Sequence, residues 1–263
     1  MKWRFVDLDE VDPISAPAAF EAVMDSVRCG LADDTILFWR PASPAVYVGY
    51  HQPVKEDIDV ERCRQKGVPI IRRTLGGGTG YCDANQIIYN IIYKEGRSGM
   101  PHGPRNVYGL VLQGVIEAVR LLGIVDACID EQRFGVYANG KKISGSGQLT
   151  SGGVVNASGS FLVDFDFSAM KQLLKDPVKN LRAGVREPEE GMTCLRREVG
   201  EISVENAKKA LRQGFESVLS RAYDGSLSGY EKQLASHLRE KYVSDGWNFR
   251  ADLREDRRKK VLY

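Results

Sequence analysis

No stretch of this chain approaches the ~20 consecutive apolar residues that cross a bilayer, and residues 1–7 hold no secretory hydrophobic region. The five cysteines, Cys29, Cys63, Cys82, Cys128 and Cys194, are scattered, odd in number and never spaced as CxxC. Neither a zinc site nor a disulfide framework is expected from them. Three histidines, His51, His102 and His237, lack metal-ligand spacing, so no metal site is expected there. Neither sign of charge dominates: 37 Lys and Arg against 35 Asp and Glu leave a net charge of +2. Nucleic acid and membrane surfaces are therefore not expected partners. No internal repeat is visible, and no Gly-Lys-Ser/Thr marks a Walker loop. A reducing, cytoplasmic setting is the simplest expectation.

What is present suffices for a core, at 43% hydrophobic against 27% charged residues in a chain of 263. We expect one large catalytic unit over residues 1–250 and a charged tail at 251–263, solvated or a frayed helix. Apolar residues at helical spacing predict helices over 18–29, 59–65, 106–122 and 230–241. Ser168 and Ser203 are predicted caps for helices over 169–175 and 204–219. Strands are expected over 35–40, 45–49, 68–74 and 86–93. Asn139-Gly140 is a hairpin signal, and Ser151-Gly152-Gly153 a second turn, which together predict a three-stranded antiparallel meander. Residues 181–197, rich in Arg, Glu, Gly and Pro, read as a mobile loop. Irregular alternation with several antiparallel strands favours an α+β fold over a doubly wound sheet.

Two segments could carry chemistry. Ile70-Ile71-Arg72-Arg73-Thr74-Leu75-Gly76-Gly77-Gly78 ends a buried strand on two arginines and three glycines. Bare glycine amides can approach a bulky anion, and guanidiniums suit phosphate or carboxylate. This reads as the floor of a nucleotide or acyl-phosphate pocket; a plain turn with surface arginines is the alternative. No helix follows, as a Rossmann fingerprint requires. The second segment is Gly140-Lys141-Lys142-Ile143-Ser144-Gly145-Ser146-Gly147-Gln148. Strand alternation separates Lys141 from Lys142 and predicts that Lys142, Ser144 and Ser146 share a face. A snorkelling lysine at a hairpin mouth is one reading. The small residues after it favour another, a lysine that neutralises a phosphate or polarises an acyl carbonyl.

In this order, Arg-Arg-x-x-Gly-Gly-Gly, Tyr89-Asn90 and Gly-Lys-Lys-Ile-x-Gly-Ser resemble the lipoate–protein ligase family, a relative of biotin–protein ligases and octanoyl transferases. Phe38-Trp39-Arg40 to Val48-Gly49-Tyr50-His51-Gln52 resembles the family's first two strands. Thr193-Cys194-Leu195 with Ser203-Val204-Glu205 to Gly214-Phe215 resembles its late loop and helix, and Lys241-Tyr242 to Trp247-Asn248-Phe249 its C-terminal signature. The resemblance implies a mixed, largely antiparallel sheet backed by helices, like a class II synthetase core. It implies an enzyme that uses ATP and Mg2+ to convert lipoate to lipoyl-adenylate and passes the acyl group to a lysine of a carrier domain. By position, Lys142 would be the catalytic lysine on the acyl-phosphate oxygen. Arg72 and Arg73 would contact the adenylate, with Gly76, Gly77 and Gly78 looped over it. Trp39 would lie near the acyl chain, and Asn90, Ser144 and Gly145 would complete the substrate site. Residues 181–197 would be the adenylate lid.

The chain departs from that pattern at three places. Cys82, in Gly80-Tyr81-Cys82-Asp83, and Ser158, in Asn156-Ala157-Ser158-Gly159-Ser160, stand where the ligases carry histidine. The chain also ends soon after Phe249, as in ligases that work with a small accessory subunit. The resemblance holds a second activity. Octanoyl transferases of this fold use a cysteine nucleophile and no ATP, and in one class it precedes the Gly-Lys-Lys hairpin. Cys128 occupies that place, and Gly145-Ser146-Gly147-Gln148 resembles that class more than the ligases. Gly78, where that class has arginine, argues the other way. Cys128 as a plain core thiol is the remaining reading.

Overall fold

The computed structural model describes residues 2–252. The first third holds β1 (Trp3–Val11), α1 (Ser15–Cys29), β2 (Asp34–Pro41), β3 (Ala45–Val48), α2 (Val54–Asp57), α3 (Val60–Gln65), β4 (Ile70–Arg72), β5 (Gly80–Cys82) and β6 (Gln86–Lys94). Then come α4 (Pro104–Leu121), β7 (Ala127–Asp130), β8 (Gly135–Ala138), β9 (Lys141–Ser151) and β10 (Val154–Leu162). The last third holds α5 (Phe167–Leu173), α6 (Pro188–Gly191), α7 (Leu195–Val199), α8 (Val204–Val218), β11 (Ala222–Gly225), α9 (Gly229–Val243) and α10 (Asp245–Asn248).

Eight strands form one mixed sheet in the order β11-β1-β2-β6-β10-β9-β8-β7. Pairing is parallel at β11/β1/β2 and antiparallel from β2 onward. Its centre is covered on both faces, which is why β2 and β6 are mostly apolar, with Asn90 the exception inside β6. Ile36, Phe38, Ile87, Tyr89 and Ile91 pack with α4 and α8, while Leu37, Trp39, Ile88 and Ile92 pack with α1. Helices α4 and α8 cross at glycines: a Cβ on Gly214 would lie 2.2 Å from the Gly114 carbonyl oxygen. A second sheet, β4-β3-β5, packs with α3 and α5 around a separate apolar cluster that includes Val46, Val48, Cys63 and Leu173. The two segments expected as strands at 35–40 and 45–49 thus belong to different sheets.

Several expectations need correction. The meander has four strands, because β7 pairs with β8. Its Asn139-Gly140 turn has φ of 48° and 78°, as such a turn requires. The cap of α5 is Asp166, whose carboxylate accepts the Ala169 N–H at 2.8 Å; Ser168 already lies inside the helix. Residues 181–197 are built into the fold: a Glu187/Glu190 capping box opens α6, and Cys194 and Leu195 are buried. In the tail, the Asp252 carboxylate accepts the Val54 and Lys55 N–H groups at 3.1 and 2.9 Å. The rest of the charged run, 253–263, lies outside the described residues.

Candidate active site

Two consecutive residues of an extended chain point opposite ways, so only one of the paired arginines can face a given side of β4. Arg72 faces inward. It is fully buried and donates to the Asn248 carbonyl at 2.9 Å and to the Gly49, Tyr50 and Gln52 carbonyls at 2.9, 3.2 and 2.7 Å. Burial pushes its pKa down. It docks the C-terminal helix α10 onto the small sheet and does not reach the cavity described below, which corrects its expected role. Arg73 does reach it. Its Nη1 donates to Tyr47 O at 3.2 Å, and Nη2 to Gly76 O and Gly78 O at 3.1 and 2.7 Å. The guanidinium therefore ties down the glycine loop from within. Burial lowers its pKa, and its three hydrogen bonds all go to backbone carbonyls.

The same loop is clamped from two other sides. Gly76 N–H donates to Gln148 O at 3.0 Å, and a Cβ on Gly147 would sit 2.4 Å from Gly76 O. A Cβ on Gly49 would sit 2.0 Å from Gly77 O, and Gly77 itself has φ of +98°. Only glycine fits these contacts.

Beside the loop lies a cavity of about 620 Å³. Its floor is the main sheet. Trp39, Ile88 and Ser160 form one cross-strand row; Ser158 and Gly147 form part of the next. Its lining is apolar at Phe20, Leu75, Phe165 and Met170, and polar at Arg73, Lys142 and Asn180. Gly77 and Gly78 line it, whereas Gly76 faces β9. Cys82 also lines it, and burial pushes its thiol up to about 12 against the pull of Arg73. Asn90 does not line the cavity: it lies buried next to the floor and accepts the Trp39 indole N–H at 3.0 Å. Ser158, flagged in the sequence as a departure from the family's histidine, lines the cavity, as do Ser160 and Asn180, which the sequence did not single out. The two serines share a local signal, a run of small residues inside a strand that should otherwise be bulky.

Lys142 owes its position to a bulge. Val136 pairs with Ser144 but Tyr137 pairs with Lys142, so Ile143 is the extra residue. The bulge reverses the alternation downstream. Ser144 turns to the α4 and α8 side, with its hydroxyl 3.5 Å from the Tyr89 OH, and Ser146 donates to the Phe134 carbonyl. The expected common face of Lys142, Ser144 and Ser146 is thereby corrected, and Ser144 leaves the site. Gly145 and Gly147 take the cavity side instead. The Lys142 stem crosses Gly135 and Gly145, where added Cβ atoms would lie 3.2 and 3.3 Å from its Cε. Its Nζ donates to Asn180 O at 3.4 Å, and Thr193 N–H donates to its carbonyl at 2.9 Å. Burial pushes the amine down to about 8; Asp130 opposes that shift and Arg133 adds to it.

Cys128 is exposed and outside the cavity, on β7. It pairs with Tyr137, which pairs with Lys142, so the three side chains share one face across three strands. Two strand spacings, about 10 Å, separate the backbones of Cys128 and Lys142. The Lys142 stem runs along the strands toward the Gly135/Gly145 row, where its Nζ turns to Asn180 O, two residues along from the row of Cys128. Arg182 stacks over the Tyr137 ring at 4.0 Å and is paired with Asp130 at 3.2 Å, and these two contacts together with nearby Cys128 hold its pKa up. Among the described residues, no group of three or more His, Cys, Asp or Glu side chains could hold a metal ion, and no helix is long and apolar enough to cross a membrane.

Known proteins resemble this chain in sequence and fold. The lipoyl protein ligase A/B catalytic domain family matches residues 12–216. The octanoyltransferase LipM of Geobacillus kaustophilus (strain HTA426) is 28% identical over 274 residues, covering 94% of this chain and 98% of its own. That of Bacillus subtilis (strain 168) is 26% identical over 275 residues, with the same coverage. Among solved structures, a lipoate-protein ligase A bound with ATP superposes with a TM-score of 0.83 at 22% identity, covering 95% of this chain and all of that one. A bipartite lipoate protein ligase of Thermoplasma acidophilum, described with its E2 lipoyl domain, gives 0.82 at 23% identity, covering 95% and 97%. At such identities the structural match speaks for the fold.

Proposed function

The chain belongs to the lipoyl protein ligase A/B catalytic domain family, enzymes that attach lipoate or octanoate, and from that premise we propose that it is a cysteine-dependent octanoyl transferase. Its donor is an acyl thioester on a carrier protein; its acceptor is a lysine of a lipoyl carrier domain. The Cys128 sulfur attacks the donor carbonyl, the carrier thiol leaves, and an acyl-Cys128 thioester results. The acceptor amine then attacks that thioester, loses a proton, and frees the Cys128 thiol. In both steps negative charge develops on the carbonyl oxygen, where the Lys142 ammonium and bare glycine amides are suited to stabilise it.

The observation that carries this reading is that exposed Cys128 and Lys142 share one sheet face, in register through Tyr137. The relatives over 94% of the chain, themselves octanoyltransferases, support it. An ATP-dependent lipoate ligase, with Mg2+ arriving on the nucleotide and an accessory subunit completing it, is the second reading. What favours it is Arg73, a half-buried cavity-lining guanidinium bonded to carbonyls and suited to an adenylate phosphate.

One experiment separates the two. The protein is incubated with octanoyl-loaded acyl carrier protein and an apo lipoyl domain, without ATP. Transfer with a thioester on Cys128 by mass spectrometry supports the transferase. Modification of the domain only when ATP and free lipoate or octanoate are added refutes it in favour of the ligase.

A further inference from the structure

Next to the cavity floor runs a polar chain that the proposed chemistry does not use. Trp39 Nε1–H donates to Asn90 Oδ1 at 3.0 Å, Asn90 Nδ2 donates to Asn156 Oδ1 at 3.0 Å, and Asn156 Nδ2 lies 3.5 Å from Met24 Sδ of α1. Both asparagines are fully buried in central strands, Asn90 among isoleucines and tyrosines and Asn156 next to valine and alanine. Asparagine is disfavoured in a strand and costly to bury, so two of them there call for a reason other than folding. An indole N–H can only donate. It therefore takes the Asn90 oxygen, leaves the Asn90 amide hydrogens for Asn156, and orients the whole chain from Trp39 to α1.

Resting on the transferase reading, we infer that Asn90 is a positioning residue that holds the Trp39 indole as the end wall of the acyl site and so sets the length of acyl chain accepted. The cavity floor runs from Trp39 on β2 through Ile88 on β6 and Ser158 to Ser160 on β10 to Gly145 and Gly147 on β9. That is three strand spacings, about 14 Å. An acyl carbonyl placed at Lys142 directs its chain across the small residues of β10 toward the apolar lining, where it meets Trp39. Two contacts set the indole: the Asn90 hydrogen bond and the Tyr47 ring, at 5.7 Å and 70°. Tyr47 is itself tied by its OH to Pro13 O at 2.8 Å. Without the Asn90 acceptor the indole loses the contact that sets its rotation, and longer chains gain room.

The test compares octanoyl- and dodecanoyl-pantetheine as donors, and octanoic and dodecanoic acid as binding probes by calorimetry, in wild type and Asn90→Leu. Leucine keeps the volume and removes the acceptor. The wild type is expected to favour the eight-carbon probe in both assays, and Asn90→Leu to reduce that preference at least fivefold while melting cooperatively. Asn156→Leu, which loosens Asn90 without touching Trp39, is expected to reduce it by less, and it carries the test if Asn90→Leu does not fold. An unchanged preference in a folded variant overturns the inference and leaves the transferase reading standing. Discrimination in acid binding without any transfer overturns that reading, with the Asn90 effect then judged on binding alone. A wild type that neither binds the acids nor consumes the thioesters overturns both.

Discussion

Lys142 offers the sharpest test of the charge argument. Its amine is pushed down to about 8 from the usual 10.5, burial being the main cause. Below pH 8 it is mostly ammonium, by about tenfold at pH 7, and able to meet developing negative charge. Transfer should therefore fall on an alkaline limb near pH 8. Lys142→Ala removes one donor at the reacting oxygen, a loss of about 10²–10³ in rate. Lys142→Arg stays charged through this range and should lose the limb, whatever its absolute rate. The same shift has a stability sign. Because the folded pKa lies below the unfolded one, the unfolded chain binds more protons between pH 8 and 10.5, and stability rises across that window. The burial cost is thus full below pH 8 and is relieved above it. An enclosed amine would carry about 3 kcal/mol; partial exposure and solvent screening reduce this to about 1–2 kcal/mol. Lys142→Met should then be more stable than wild type at pH 7, with the gap closing toward pH 10.5. Single-turnover acyl transfer against pH and urea melts at pH 7 and 10 read the two effects. A pH-independent rate in wild type between 7 and 9.5, with an unchanged melt in Lys142→Met, would refute the reasoning.

Other outcomes follow from the same geometry. Cys128, exposed, should be alkylated by iodoacetamide far sooner than Cys82, whose thiol is pushed up to about 12 inside the cavity; peptide mapping after brief labelling reads the order. Cys128→Ser should abolish acyl-enzyme formation, while Cys82→Ser should leave it measurable. Arg72→Met removes four hydrogen bonds to carbonyls and leaves buried acceptors unpaired, and is expected to cost about 1–3 kcal/mol in urea unfolding, a stability effect in place of a catalytic one. Gly147→Ala would set a methyl 2.4 Å from Gly76 O, so a loss of about 1–3 kcal/mol and slower transfer are expected; a wild-type rate would show that the glycine loop need not keep its shape.

Local pattern was enough to determine most elements, because periodicity, caps and turn residues act within a few positions. The hairpin at Asn139-Gly140, the Ser203 cap of α8, and the glycine loop were all legible, as was the order of motifs that resembled the family. The strand β7 was not, since four residues at a sheet edge carry little periodic signal. The site itself depended on contacts far apart in sequence. Which of Arg72 and Arg73 meets the cavity was decided by the docking of Asn248. Which of Lys142 and Ser144 meets it was decided by one extra residue at Ile143, which a two-residue period cannot show. Asn90 was read as a ligand contact because its motif is adjacent to the site; only the packing of β2, β6 and β10 reveals that its amide holds Trp39. The sequence by itself thus determined the donors of charge and the loop that could hold an activated acid. Tertiary structure alone decided which of those groups converge, because a side chain's facing depends on bulges, registers and partners that no local pattern encodes.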